Sequence, residues 1–413
     1  MPAITNSSTQ KSTQDLKLYD AQTIETLAWP NSQSAQLAKQ YWLPMMRGGA
    51  SSQFINNVET QLLLLVIDDV ALPITVNQQA YENAYVCSFY SHYITYAKDE
   101  LTTLKFPALE SVLALLLTVV GRLLKWTSIN KAVIVNNWML STNLYPVLSA
   151  EQLGAITIHI KERFPDHAIA FRSLIPNFDS EFDSVNNNDL VTPLQKLGYQ
   201  MVGSRQVYLF NPKSPNLDAD RTRRMNRMLK QDFRLFATKG YEVISNDDIQ
   251  ASDIPRLVEL YNALYLEKYS YNNPQFNQRC LELMRSSLES EQSPFLTLKA
   301  LRKNGQIDAV VGFYVLNGVM TTPLLGYDTR LPKNLGLYRM LTALLIKEGT
   351  ERDLVIHQSS GAASFKWRRG FSAWVECSGL FHQHLPIHRR LGWWFLGNLV
   401  DFIAIPLMKR YKL

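Results

Sequence analysis

The residues best suited to chemistry lie in a turn that follows a predicted strand and opens a predicted helix. The turn consists of Lys333, Asn334, Leu335, Gly336 and Leu337. A helix N-terminus presents backbone N–H groups to anions, and a glycine lets a ligand approach the backbone closely. Arg330 adds a second cation beside Lys333. The segment therefore predicts a phosphate or pyrophosphate site, although one glycine before a helix is also a routine helix start.

Three predicted strands position this turn. A Lys-Asn-Gly sequence at 303–305 separates an apolar run at 295–301 from one at 307–316, and an Asn-Gly pair at 317–318 leads into Val319–Tyr327. Asn-Gly between apolar runs is a strong hairpin signal, so the three runs predict an antiparallel meander. After the turn the pattern predicts a helix at 336–348, a strand at 354–357, a short helix at 362–369 and a strand from Phe371.

Apolar runs also alternate with helical periods in the first half of the chain. The predicted strands are 62–67, 72–76, 84–96, 132–135, 168–174 and 206–210, and the predicted helices are 108–126 and 150–163. Residues 108–124 are apolar enough for a membrane, but Glu110, Arg122 and a position between strands favour a core helix. Both halves end in a helix, a glycine, an aromatic residue and a strand, at Gly198 and Gly370. This repetition suggests two tandem copies of one fold.

The chain of 413 residues is long enough for two domains. Residues 1–14 are rich in Ser, Thr, Gln and Asn and predict a disordered tail. We expect domains at 15–210 and 221–384, joined by a linker at 211–220, and a basic, aromatic amphipathic segment at 385–413. The expected fold class is α/β of the α+β type, with a mixed, mostly antiparallel sheet flanked by helices in each domain.

The order of meander, phosphate turn, helix, strand, short helix and strand resembles the GNAT superfamily of acyl-CoA N-acyltransferases. The superfamily's phosphate motif is Gln/Arg-x-x-Gly-x-Gly/Ala, and the turn at 333–337 lacks its first glycine. Residues 359–366, Ser-Ser-Gly-Ala-Ala-Ser-Phe-Lys, together with Gly370 resemble the Gly and Phe-Lys signature of a tandem-GNAT branch that includes the FemAB-like aminoacyltransferases. The resemblance covers roughly residues 50–384.

This resemblance implies acyl-CoA as co-substrate and assigns roles to particular residues. The implied coenzyme A ligands are Arg330, Lys333, Asn334, Leu335, Gly336, Leu337, Ser359, Gly361 and Lys366. In the GNAT fold the third and fourth strands splay apart around the acyl thioester, which places Tyr327, Asp328, His357 and Ser359 near the reacting carbon.

Acyl transfer to an amine needs a base and an acid for the departing thiolate. Asp328 or His357 is the predicted base, and Tyr338 or Tyr327 the predicted acid. Structural roles are the alternatives for these residues: His357 is then a hydrogen-bonded residue at a strand end and Asp328 caps the loop. For Lys366 the alternative to a phosphate contact is a solvated lysine.

Charge and cysteine usage constrain the partners. A net charge of +6 and a pI near 9.0 indicate anionic partners, whether cofactor phosphates, an acidic membrane or RNA. The basic helix at 221–234 is either a solvated face or a surface for RNA or phospholipid. Three separated cysteines without C-x-x-C spacing predict a reduced, cytoplasmic protein without a metal site.

The C-terminal segment carries membrane signals. An apolar run at 391–407 contains Trp393 and Trp394 and lies between Arg389-Arg390 and the basic residues that follow it. Cationic ends and interfacial tryptophans are typical of a helix that lies on a membrane. Docking of this helix onto the domain is the alternative.

Three functions stay open. The first is an N-acyltransferase that moves an acyl group from acyl-CoA or an acyl carrier protein to a small-molecule or lipid amine, in the cytoplasm or peripherally at the membrane. The second is a FemAB-like aminoacyltransferase that uses aminoacyl-tRNA. The third is a membrane-associated binding protein whose catalytic site has decayed. We expect that the first domain no longer catalyses and shapes the acceptor pocket between the domains, because no glycine turn opens its long helix at 105–108.

Overall fold

The computed structural model describes residues 15–101, 106–176, 189–213, 218–287 and 293–406. The predicted tail at 1–14, part of the predicted linker and the last seven residues of the C-terminal segment lie outside these ranges.

One mixed sheet of twelve strands runs through the described residues. In the first half the strands are β1 (Leu16–Tyr19), β2 (Gln61–Ile67), β3 (Val70–Asn77), β4 (Ala132–Val135), β5 (Ala168–Leu174) and β6 (Gln200–Phe210). In the second half they are β7 (Glu242–Ser245), β8 (Thr297–Lys303), β9 (Gln306–Leu316), β10 (Val319–Tyr327), β11 (Val355–His357) and β12 (Ser372–Phe381).

The pairing pattern of the first five strands recurs in the second half. β1, β2, β3 and β4 pair antiparallel in succession, and β4 pairs parallel with β5. β7, β8, β9 and β10 repeat the antiparallel series, and β10 pairs parallel with β11. The two halves are therefore copies of one α+β fold, as the sequence predicts.

The last strand of each half is exchanged between the halves. β12 pairs with β5 of the first half, and β6 pairs with β11 of the second half. β12 and β6 also pair with each other, from Ser372 opposite Leu209 to Leu380 opposite Gln200. The sheet order is thus β1-β2-β3-β4-β5-β12-β6-β11-β10-β9-β8-β7. This exchange joins the halves through backbone hydrogen bonds.

Helices cover both faces of the sheet. Their bounds are α1 (Gln33–Leu37), α2 (Leu43–Arg47), α3 (Tyr96–Leu101), α4 (Pro107–Trp126), α5 (Ala150–Arg163), α6 (Val191–Lys196), α7 (Ala219–Lys239), α8 (Ile254–Asn262), α9 (Gln278–Arg285), α10 (Leu337–Glu351), α11 (Ala363–Trp367) and α12 (Ile387–Leu399). Alternation along β5 separates the layers: Ile169 and Phe171 pack with α5, whereas Ala168 and Ala170 pack with α4 and α12.

Two sequence predictions are wrong. Residues 84–96 form turns and a helical segment at Ser91–Thr95 that leads into α3. Residues 84–89 are all buried by tertiary packing, without the alternation of a half-buried strand. The apolar helix at 108–124 is not a core helix: only Val120, Gly121 and Leu124 of α4 are buried. Among the described residues α4 is the one helix long and apolar enough to cross a membrane by length and composition.

Candidate functional site

The strands β10 and β11 part beside the predicted turn. They pair only from Val319 opposite Val355 to Thr321 opposite His357. Beyond this point β10 continues to Tyr327, whereas the chain after β11 bends toward β6, where the Gln358 N–H donates to the Tyr208 carbonyl at 3.0 Å. The result is the splay that the resemblance implies.

The turn opens a helix, as the sequence predicts. Gly336 adopts the left-handed conformation with φ +75°, and a Cβ atom there would lie 2.7 Å from Leu235 Cδ1. The helix α10 begins at the next residue, and the Met340 N–H donates to the Gly336 carbonyl at 3.0 Å. Lys333 and Asn334 are exposed at this helix start. The N–H groups of the first turn precede the helical ladder, which is the arrangement that binds anions.

A buried acidic residue holds two further cations near this helix. Asp232 on α7 is 0% exposed and accepts hydrogen bonds from Arg339 Nε at 2.7 Å and Arg369 Nε at 2.8 Å. Arg339 is in the first turn of α10, and its side chain is 39% exposed. Because one carboxylate faces two guanidinium groups, the surroundings of the turn keep an excess positive charge.

Tyr327 and Tyr338 meet at the splay. Their ring centroids are 6.2 Å apart, and the Tyr338 ring is 4.7 Å from that of Phe365. Lys268 Nζ donates to the Tyr327 hydroxyl at 3.2 Å. Burial raises the pKa of the Tyr338 hydroxyl above its usual value, so this group is protonated at neutral pH. A protonated phenol is what an acid for a departing thiolate requires.

Asp328 is enclosed by arginines. Its carboxylate accepts from Arg330 Nε at 2.9 Å and from Arg256 Nη2 at 2.8 Å. The hydrogen bonds from Arg330, followed by those from Arg256, lower the pKa of Asp328 well below its usual range. Arg330 is also paired with Glu259 at 2.8 Å. The geometry therefore favours the loop-anchoring role for Asp328 over the base role, and Arg330 is neutralised by two acids instead of being held for a phosphate.

His357 is buried at the end of β11. Its Nδ1 accepts from the Ser359 N–H at 3.2 Å, so the neutral ring carries its proton on Nε2, which lies 3.8 Å from Glu376 Oε2. Burial lowers the pKa of His357 to about 4. A neutral imidazole whose accepting nitrogen is already bonded fits the strand-end role, and proton abstraction would require the Ser359 contact to open.

Lys366 is only 2% exposed, which excludes the solvated lysine as an interpretation. Its ammonium donates to the carbonyls of Gln358 at 2.5 Å and Ser360 at 2.7 Å. The loop it holds has positive φ at Ser359, Gly361 and Ala362. Such backbone persists only where surrounding contacts fix it, and Lys366 supplies those contacts. In this conformation the ammonium faces carbonyls, so a role at a phosphate stays a prediction.

A buried ion pair at the exchanged strands was not predicted. Arg205 on β6 donates from Nε to Glu376 Oε1 at 3.0 Å and from Nη2 to Glu376 Oε2 at 3.1 Å across to β12. Arg205 also donates to the hydroxyls of Ser359 and Thr142, each at 3.0 Å. One guanidinium therefore ties both halves to the loop after β11. A lone arginine in a strand gives no sequence signal for this role.

Side chains of both halves also meet at α3. Asp99 Oδ2 accepts from the Ser270 hydroxyl at 2.5 Å and from Asn272 Nδ2 at 2.9 Å. Glu100 is solvent-exposed near the end of α3, and the surrounding protein atoms and the neighbouring Asp99 raise its pKa to about 7. Glu100 interacts electrostatically with Tyr96 and with Arg205. A carboxyl group that titrates near neutrality beside the junction is a candidate proton acceptor that the sequence does not reveal.

The first half closes its corresponding helix start. In the repeat α5 is the counterpart of α10, because each helix connects the two parallel strands of its half. The sequence had suggested the helix that begins near residue 107 as the counterpart. Ser149 Oγ accepts from the Gln152 N–H at 3.2 Å, and Gln152 Oε1 accepts from the Ser149 N–H at 2.9 Å. This capping box occupies backbone donors that an anion would need.

The described residues of the whole chain contain no cluster of three His, Cys, Asp or Glu side chains arranged for a metal ion.

Known proteins resemble this chain in structure but not in sequence. No sequence profile of a known protein family matches it, and no curated protein does. The structure of L-PGS from Bacillus licheniformis matches 60% of this chain and 78% of its own, with 13% identity and a TM-score of 0.39. FemX matches 56% of this chain and 77% of its own, with 9% identity and a TM-score of 0.40.

A GCN5-related N-acetyltransferase from Kribbella flavida matches 62% of this chain and 83% of its own, with 12% identity and a TM-score of 0.30. Because the TM-scores are below 0.5, these similarities do not establish the reaction. The strand order, the internal repeat and the splay of β10 from β11 confirm the tandem GNAT-like fold that the sequence predicts.

Proposed function

We propose that the protein transfers an acyl group from acyl-CoA to the amine of a small molecule or lipid. The observation that carries the proposal is the splay of β10 from β11 directly beside the Gly336 turn. The open strand edge accommodates the thioester arm, and the first turn of α10, with Lys333 and Arg339, receives the pyrophosphate.

Each step of the proposed reaction has a residue to support it. The amine attacks the thioester carbonyl, so a C–N bond forms and the C–S bond breaks. The Tyr338 hydroxyl protonates the departing thiolate, with Tyr327 beside it. The proton lost by the amine passes to Glu100, directly or through a water, because Glu100 follows Asp99 at the junction of the halves and its pKa of about 7 suits a base. His357, Ser359 and Lys366 keep the loop after β11 in place.

The division of labour between the halves is part of the proposal. Residues 221–384 bind the donor, because among the described residues a splay and a glycine turn occur together in the second half. Residues 15–210 contribute the acceptor side, since the Ser149 capping box occupies their corresponding helix start. The amine then enters where α3 meets the segment at 270–272.

Binding of the donor tests this proposal. Isothermal titration with acetyl-CoA and longer acyl-CoAs is expected to show binding that Gly336→Ala weakens about tenfold or more, because the new Cβ displaces Leu235 and strains the turn. Ser149→Ala, at the corresponding helix start of the first half, is the matched control and keeps wild-type affinity. Tyr338→Phe keeps the affinity but loses turnover. Absence of binding to every acyl-CoA would refute the donor assignment.

An aminoacyl-tRNA donor is the second candidate, favoured by the exposed face of α7. Arg223, Arg227, Lys230 and Arg234 lie three or four residues apart and are all exposed, with Arg224 beside them. Such a stripe can contact the phosphates of a nucleic acid electrostatically. Binding of this kind weakens steeply as the salt concentration rises.

Charge reversal separates this candidate from the first. Exchange of Arg223, Arg224 and Arg227 for Glu is expected to abolish salt-dependent tRNA binding if the donor is a tRNA. Exchange of Lys161, Arg163 and Lys196 for Glu changes the net charge equally on α5 and α6 and serves as the control. Unchanged tRNA affinity in the α7 variant would exclude the second candidate.

A further inference from the structure

The helix α4 is an addition to the repeated fold. It lies between β3 and β4, whereas the corresponding strands β9 and β10 of the second half are joined by the tight turn at Asn317 and Gly318. The helix attaches to the core through Val120, Gly121 and Leu124. The repeat therefore does not require α4, and its sequence is free to serve another purpose.

The outer face of α4 is a continuous apolar stripe. It is formed by Phe106, Leu109, Val112, Leu115, Leu116, Val119 and Trp126. Val112 is 64% exposed, Leu115 67% and Trp126 66%. Residues three or four apart share one helix face, so the stripe extends over the whole length of the helix. Contiguous exposed apolar surface of this kind marks an interaction site in a soluble domain.

The C-terminal helix α12 extends this surface. It packs in the same layer, with the Trp126 and His388 rings 5.8 Å apart and Trp393 buried against Phe89 at 5.1 Å. Its outer side exposes Ile387, Leu391 and Trp394, and the helical segment that follows it exposes Phe402. We call these residues and the α4 stripe together the apolar face.

The structure shows the docking alternative for the C-terminal helix. It docks onto the first half, and Arg389 is buried there: its guanidinium donates to the carbonyls of Thr127, Ser128 and Lys131. That arginine is therefore not a headgroup contact. The opposite side of the helix stays exposed.

Charge and tryptophan placement identify the occupant. Exposed Arg122 is one turn before Trp126, and exposed Arg390 follows His388, which contacts Trp126. Tryptophan side chains favour the headgroup level of a bilayer, and arginines beside them attract anionic lipids. Because one side of α4 is packed into the core, its exposed side fits a helix that lies in the interface and not one that spans the bilayer.

We infer that the apolar face inserts into the headgroup region of an anionic lipid bilayer. The face is linked to the junction between the halves, since α3, which carries Asp99, directly precedes α4 in the described chain. Membrane binding would bring that junction to the lipid surface. The inference goes beyond acyl transfer and does not depend on it, because binding is measured without any donor.

Vesicle sedimentation of the full chain tests the inference. The probes are vesicles of phosphatidylcholine alone and of phosphatidylcholine with roughly 30 mol% phosphatidylglycerol, which gives the vesicle a negative surface potential. We expect binding to the anionic vesicles that the double variant V112E/L115E weakens roughly a hundredfold, because two apolar side chains no longer enter the bilayer. A single-charge control away from the apolar face is Ile158→Glu, since Ile158 is 54% exposed on α5, which packs on the opposite face of the sheet.

Trp126→Phe provides a second readout. Brominated lipids are expected to quench the tryptophan fluorescence of the wild-type chain, and the Trp126→Phe variant is expected to lose part of that quenching. Circular dichroism checks that every variant is folded.

Three results would overturn the inference. They are no binding of the wild-type chain to anionic vesicles, equal binding of V112E/L115E, or an equal loss in Ile158→Glu. A wild-type dimer that V112E/L115E dissociates, without vesicle binding, would instead assign the apolar face to a second copy of the chain.

Discussion

Replacement of Arg205 by methionine tests whether the exchanged strands and the site depend on one ion pair. Arg205 and Glu376 form two hydrogen bonds, at 3.0 and 3.1 Å, between β6 and β12. The Glu376 side chain is 3% exposed and that of Arg205 14%, so the pair is shielded from water. Removal of the arginine leaves a buried carboxylate without its partner, which costs about 3–5 kcal/mol. Arg205→Met should lower the free energy of unfolding by this amount.

Urea unfolding followed by circular dichroism measures the effect. The double variant R205M/E376M should recover most of the loss, because apolar side chains of similar volume often replace a buried ion pair at little cost. Lowering the pH should also reduce the penalty in Arg205→Met, since protonation of the carboxyl removes the buried charge. A loss below about 1 kcal/mol, the size of an exposed ion pair, would refute the reasoning. So would a loss that is equally large in the double variant.

Three further predictions concern proton-carrying groups. Burial holds the pKa of His357 at about 4, below the value near 6.5 of an unfolded chain. The free energy of unfolding therefore falls as the pH drops from 6.5 toward 4, because the unfolded chain binds the proton and the folded protein does not. This amounts to about 2 kcal/mol at pH 5, and His357→Gln should flatten the pH dependence of unfolding by that amount; an unchanged slope would contradict the assignment. Asp328→Asn should lower the free energy of unfolding by about 1.5–3 kcal/mol, because its carboxylate accepts from two guanidinium groups, and should keep kcat within about tenfold, whereas loss of a base would remove nearly all turnover. Glu100→Gln should abolish the rise of kcat/KM through pH 7 without weakening acyl-CoA binding, and an unaltered pH profile would exclude Glu100 as the base.

Much of the fold follows from local pattern. Asn-Gly at 317–318 and the alternation around it predict the meander, and β4, α5 and β5 have the bounds that the sequence predicts. The repeat was visible only in its endings, at Gly198 and Gly370. The strand exchange leaves no local trace, because β6 and β12 carry the same alternation whichever half they complete.

The site was only partly predictable for a related reason. The Gly336 turn is encoded locally by one glycine at the start of a helix. The environment of Asp328 includes Arg256, which is distant in sequence. Lys366 bonds carbonyls only six and eight residues away, but its burial depends on how the loop after β11 folds. The wrong prediction of α4 as a core helix has a similar cause. Its composition is strongly apolar, but composition does not tell whether a neighbouring element covers the helix.

The exchanged strands also affect how the protein is made. β5 is synthesised early, but its neighbour β12 is one of the last strands to leave the ribosome. The first half must therefore wait with one strand edge unpaired, and such edges invite wrong partners. Pairing over this chain distance also slows folding. Separate expression of either half would leave its last strand without the neighbouring strand that the other half supplies. The two halves therefore have to be expressed and engineered together.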